Sequence, residues 1–298
     1  MGVVLIMIID SLYEAVKKKG HVCVGLDTAL EYIPKSVADK HIFVEDMVFE
    51  YNKALIDATL DVASCYKVQI AYYEALGISG LNAYKKTLKY IRDNKAIAIA
   101  DIKRGDIAKT AEMYAKAHFE GDFESDFVTL SPYMGLDSIE PYLPYVKNNE
   151  KGIFVLVRTS NKGAEDIQYI DAEDSKKIYD IVGSKIQQLG NNYLGSCGYS
   201  SIGGVVGCTH VEEGIELRRK LDKMFFLIPG YGAQGGTAKD VALYLSNGNG
   251  GVVNSSRGIL LAYKKHENGE MKYDIHAREE VIRMRNDISN AIKGMENS

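Results

Sequence analysis

The stretch AIAIADIKRGD, residues Ala96–Asp106, runs apolar for the length of a strand and then breaks into two acids and two bases. Side chains on a strand alternate between its faces, so Ile97, Ile99, Asp101 and Lys103 share one face and Ala98, Ala100 and Ile102 the other. Both faces are apolar at first, as expected of a parallel strand covered on both sides. The charges gather at its C-terminal end.

Working outward, seven more runs of this kind appear. They are His21–Asp27, Cys65–Ile70, Phe127–Pro132, Gly152–Ser160, Gly203–Thr209, Met224–Gly230 and Gly251–Ser256. Amphipathic helical patterns separate them: Phe43, Met47, Tyr51 and Leu55 fall on one helix face, and Leu81, Tyr84, Leu88 and Ile91 on another. Ser11 with Glu14 predicts a capping box for an opening helix that ends near Gly20. Eight strand–helix alternations without a linker-like change of composition predict an α/β fold, a single (β/α)8 TIM barrel over residues 1–298. An open doubly wound sheet is the competing architecture, but it more often stops at five or six strands. Two segments exceed the minimal repeat: Gly190–Ile202 reads as a loop before the sixth strand, and Lys264–Tyr273 as an excursion before the last helix. Both read as surface decoration.

Composition narrows the function. The 298 residues are 46% hydrophobic with net charge -4, and the basic residues are dispersed, which argues against a nucleic-acid partner. Cys23, Cys65, Cys197 and Cys208 show no metal-ligand spacing and read as free thiols. The apolar run Val3–Ile9 is short, lacks a basic leader and meets Asp10, so neither a signal peptide nor a membrane span is expected. The expected setting is cytoplasmic.

Barrels of this class carry their active sites at the C-terminal strand ends, so polar residues there count most. Asp101 and Lys103 face the barrel mouth, and Lys67 on the neighbouring strand can face the same space. Buried separately these charges would be costly, so they are expected to satisfy one another. A salt-bridged strand end is the alternative reading of the same residues. Asp106 could equally be the N-cap of a helix over Ile107–Glu120. The glycine-rich run Pro229–Gly236, leading to a helix near Thr237, predicts a phosphate site of bare backbone N–H groups and a helix N-terminus, with Arg257 as a bidentate partner.

These residues resemble the orotidine 5′-phosphate decarboxylase family over nearly the whole chain. The resemblance rests on the Lys67 strand, on Asp101-x-Lys103-x-x-Asp106 with Thr110 following, on the Pro229–Gly236 loop and on Arg257. The Tyr66–Ala71 and Arg158–Asn161 segments are similar to the longer bacterial and protozoan branch. It implies loss of CO2 from orotidine 5′-phosphate to give UMP, the last step of pyrimidine nucleotide synthesis, with neither metal nor cofactor. Lys103 would be the proton donor to C6, Asp101 would lie beside the substrate carboxylate, and Lys67 and Asp106 would complete an alternating network. Asp27 would contact the ribose, Ser160 and Gln234 the base and phosphate loop, and Pro229, Gly235, Gly236 and Arg257 the phosphate end. Asp106 and Thr110 would enter the partner's site in a homodimer. Gln69 stands where some members carry asparagine, keeping the amide with a longer reach.

Two rivals follow from the same residues. Related barrels, such as hexulose-6-phosphate synthase, use Asp-x-Lys-x-x-Asp with Mg2+ and an acidic residue on strand 2. Lys67 stands in that place here and would repel a divalent cation. A catalytically inactive nucleotide-binding barrel would be expected to lose one of the four charges.

Overall fold

The computed structural model describes residues 6–148, 150–172, 176–232 and 235–296. Eight parallel strands close into a barrel in sequence order. They are β1 (Val22–Gly25), β2 (Cys65–Gln69), β3 (Ile97–Arg104), β4 (Phe127–Leu130), β5 (Gly152–Arg158), β6 (Ser200–Val206), β7 (Met224–Ile228) and β8 (Gly251–Ser255). Pairing of β8 with β1, Val22 opposite Val253 and Cys23 opposite Asn254, completes the ring.

Helix α1 (Ile8–Lys19) precedes the first strand. A principal helix then follows each strand: α2 (Val44–Thr59), α3 (Gly77–Asp93), α4 (Ala108–Phe119), α5 (Leu143–Lys147), α6 (Ile178–Gly190), α7 (Val211–Lys220), α8 (Ala238–Leu243) and α9 (Tyr273–Glu296), with short extra helical turns at Lys35–Ala38, Ile70–Glu74 and Arg257–Leu260. Strand periodicity sorts the core into two layers. Outward residues such as Val24, Tyr66, Val68, Ala98 and Ala100 pack under the helices. Inward residues Cys23, Cys65, Ile97, Ile99, Phe127 and Phe154 fill the barrel and meet Ile9, Leu12 and Val16 of α1. Helix α1 therefore plugs the N-terminal end and leaves the opposite end for chemistry.

Several local expectations change. Strand β6 begins at Ser200, so the last residues of Gly190–Ile202 belong to the barrel. The rest of that segment is more than decoration: it folds back through a Leu194–Ser200 bridge, and Cys197 N donates to the Asp10 carboxylate at 2.8 Å. Helix α1 starts ahead of the Ser11/Glu14 box, and Asp10 accepts from Met7 N at 3.3 Å instead. Phe43 is 67% exposed and flanks α2, because the buried stripe runs through Val48, Tyr51, Asn52 and Leu55. Lys264–Tyr273 is an excursion as expected, made of the short 3-10 turns Ala262–Lys265 and Gly269–Lys272. Cys23, Cys65 and Cys208 are buried and Cys197 half-buried, all as free thiols. Among the described residues no helix is long and apolar enough to cross a membrane.

Candidate active site

Strand parity brings the expected charges together. Register places Gly25 beside Lys67, Lys67 beside Ile99, and Gln69 beside Asp101, so the inward residues of three neighbouring strands reach the same level. Lys67 Nζ lies between two carboxylates, 2.9 Å from Asp27 and 3.0 Å from Asp101. Lys103 Nζ sits 2.6 Å from the other oxygen of Asp101. Lys67 is 5% exposed and Asp101 6%, so neither charge could be held there alone.

Asp101 is the hub. One oxygen accepts from Lys103 and from Thr129 Oγ1 at 2.8 Å, and the other from Lys67 and from Gln69 Nε2 at 2.9 Å. Burial alone would raise its pKa, but the Lys67 and Lys103 charges and the Lys103 and Thr129 hydrogen bonds hold it well below the usual carboxylate range. Burial likewise works against the Lys67 ammonium, and the charges and hydrogen bonds of Asp101 and Asp27 outweigh it and raise its pKa. Asp101 and Lys67 therefore both stay ionised at neutral pH.

The alternation extends further than the sequence suggested. Ser256 Oγ donates to Asp27 at 2.8 Å, so a chain of contacts runs from β8 across β1 and β2 to β3. Gly25 makes room for it: a Cβ there would come within 2.0 Å of Ser256 Oγ. Gln69 spends its amide on Asp101, and its oxygen accepts from Ala71 N, so its longer reach serves the network rather than a free ribose contact. Sequence reasoning gives Thr129, Asn254 and Ser256 no role. Their signal was parity, each being polar at an inward position near a strand end.

Two adjoining cavities share Lys67, Asp101, Lys103, Pro229 and Asn254. One, of about 450 Å³, has an apolar wall of Leu156, Val205 and Leu227 and a polar rim that includes Ser160 and Gln168. The other, of about 260 Å³, runs past Asp27, Gln69 and Tyr72 to Ser256 and Arg257. Arg158, at the β5 end, is fully buried instead, bonded to Gly207 O at 2.7 Å and Glu213 at 3.0 Å.

The glycine loop differs from expectation. Three of its N–H groups are not bare: Gly232 N donates to Gly236 O, Gly235 N to Gly232 O and Gly236 N to Gly230 O. Positive φ at Gly230, Gly232 and Gly235 permits this closed turn. Thr237 and Asp240 cap α8 reciprocally, so a carboxylate already occupies that helix start. Arg257 is left as the cation at the outer end of the smaller cavity. Gln234 lies outside the described residues.

Asp106 and Thr110 line neither cavity. Among the described residues Asp106 accepts a hydrogen bond from Ile107 N, at 2.8 Å, and Ile107, not Asp106, occupies the N-cap of α4. Thr110 is exposed. The exposed apolar residues Ile107, Met113, Tyr133 and Met134 come from α4 and from the turns after β3 and β4.

Comparison with known proteins agrees with this fold. The chain is 71% identical to an orotidine 5′-phosphate decarboxylase of Clostridium kluyveri, over 95% of this chain and 97% of that one. It is 69% identical to the Clostridium acetobutylicum protein of the same name, over 95% and 99%. The solved Leishmania donovani OMP decarboxylase superposes with a TM-score of 0.71 at 28% identity, over 94% of this chain and 98% of that one. A family model matches residues 20–271, and the chain belongs to the orotidine 5′-phosphate decarboxylase / HUMPS family.

Proposed function

We propose that this chain decarboxylates orotidine 5′-phosphate to UMP and CO2 without metal or organic cofactor. The observation that carries this reading is the Asp101 hub, gripped by two lysines where the two cavities join. The pyrimidine would occupy the larger cavity against Leu156, Val205 and Leu227, near Ser160. The ribose would pass Asp27, and the phosphate would reach Arg257 beside Pro229, Gly230 and Tyr231.

Breaking the C6–carboxylate bond leaves an electron pair on C6 with no adjacent sink. The Lys103 ammonium is the group placed to stabilise that charge and to deliver the proton, drawing another from water afterwards. Asp101 would aim Lys103 and face the departing carboxylate, while Lys67 and Asp27 hold Asp101 in place. Contacts at the phosphate end, far from C6, would let binding energy support the chemical step.

The metal-dependent alternative is disfavoured by Lys67, whose ammonium fills the space between Asp27 and Asp101 that a cation would need. The absorbance change on decarboxylating orotidine 5′-phosphate in EDTA tests both readings. Full activity is expected, with Lys103→Ala nearly inactive. Loss of activity on chelation, restored by Mg2+, would sink the proposal.

The site is also proposed to be completed by a second copy of the chain. Asp106 and Thr110 stand outside their own cavities, near the exposed apolar residues Ile107 and Met113. Such a patch favours a partner, and Asp106 carried into the neighbouring site would add a carboxylate beside Lys103.

A further inference from the structure

Away from the barrel mouth, the excursion after β8 meets helix α9 through two histidines. His266 lies between the two 3-10 turns, and His276 in the first turns of α9. Their rings stack with centroids 3.9 Å apart and planes 6° from parallel. Glu279, one turn on from His276, places a carboxylate oxygen 3.0 Å from His276 Nδ1. One ligating atom from each of the three lies within 4.8 Å of the others. None of the three lines the catalytic cavities.

We propose that His266, His276 and Glu279 form a site for a borderline divalent transition metal of the zinc class. Two imidazoles and a carboxylate are the donor set such ions prefer, and three protein ligands leave a fourth position for water. The neighbouring charges fit. Glu280 is engaged by Arg283 at 2.8 Å and by Lys265 at 3.7 Å, which leaves Glu279 as the carboxylate on the histidine side. In a tetrahedral site bonds of about 2.0–2.1 Å put ligand atoms about 3.3 Å apart, so the set must close slightly. Parallel rings do not aim their lone pairs at one point, so the His266 ring would tilt out of the stack on loading. It is exposed and sits on a turn, which leaves it free to do so.

The role the fold gives this ion is a clip. His276 and Glu279 belong to α9, while His266 is separated from them by the Gly269–Lys272 turn. The excursion in turn holds the segment after β1, through Tyr263 Oη to Tyr32 O at 3.1 Å and Ser36 Oγ to Glu270 O at 2.9 Å. A bound ion would fasten this layer of turns to the last helix and raise stability by mass action, with no part in turnover.

Calorimetric titration of the chelator-stripped full chain with ZnCl2 tests the proposal, alongside thermal melts with and without the ion. The expected result is one Zn2+ per chain, a higher Tm, and no response to MgCl2. His266→Ala and Glu279→Gln should each weaken binding by about tenfold or more. Decarboxylation should be unchanged by loading or stripping, which separates this outcome from that of the catalytic reading. No zinc uptake by the unmodified chain, or uptake undiminished in both variants, would overturn it. His266 is exposed, so folding of its variant is not at issue.

Discussion

Lys103 holds a backbone conformation unusual for its type, with φ of 44°, where β3 shifts register against β4 between Ala100 and Arg104. A non-glycine residue there is strained and must be over-determined by its surroundings. Thr129 supplies much of that restraint. Its hydroxyl accepts from Ile102 N and Lys103 N, both at 3.0 Å, while donating to Asp101. Replacing Thr129 with Val keeps the shape and removes all three bonds. We expect kcat to fall by about tenfold to a hundredfold, since a hydrogen bond to a charged group is worth about 1.5–3 kcal/mol. KM should change little and Thr129→Ser should recover most of the rate. Equal losses in kcat and in substrate binding would show that Thr129 only supports the pocket. Asp101 and Lys103 were legible because a period of two is enough to place them. The turn at Lys103 was not, because it depends on Thr129, which in the sequence is one hydroxyl among apolar neighbours.

Helix α1 and the hairpin before β6 close the N-terminal end of the barrel together, and Asp10 joins them. The Asp10→Ala change leaves Cys197 N without its partner, a loss of about 1 kcal/mol for a half-buried hydrogen bond. Chemical denaturation should show that loss while kcat at 25 °C stays unchanged, because Asp10 lies at the end opposite the cavities. A fall in activity without a fall in stability would contradict this division of the barrel. The strand and helix pattern predicted both ends of the barrel, but local sequence could not predict that Gly190–Ile202 reaches Asp10. That contact spans most of the chain. The same limit applies to the Pro229–Gly236 loop. Its glycines suggested bare N–H groups, yet which partner each N–H takes depends on the loop's closure upon itself.

At the level of the molecule, the eight strands and their order follow from repeated apolar runs, since parallel strands joined by helices bury both faces. Asp106 belongs to a larger scale than one chain. If it completes a neighbour's site, Lys103→Ala and Asp106→Ala homodimers should each be nearly inactive. Mixing them should restore activity, because one site of each mixed dimer then carries both lesions and the other carries none. The assay is decarboxylation after verified subunit exchange, and absence of recovery would refute the shared site. Sequence alone left Asp106 open between helix cap and partner residue. The cap is now accounted for by Ile107.

The contact chain from Ser256 through Asp27, Lys67 and Asp101 to Lys103 crosses the seam where β8 meets β1. Those two strands lie near opposite ends of the sequence, and joining them closes the longest loop of any strand pairing in the barrel, the kind of contact that slows folding. On the proposed mechanism, catalytic competence is thereby tied to completion of the ring. A partly assembled barrel could present the charges of β2 and β3 but would leave Asp27 without its Ser256 anchor. During refolding, the enzyme's own turnover becomes a clock for the last strand pairing.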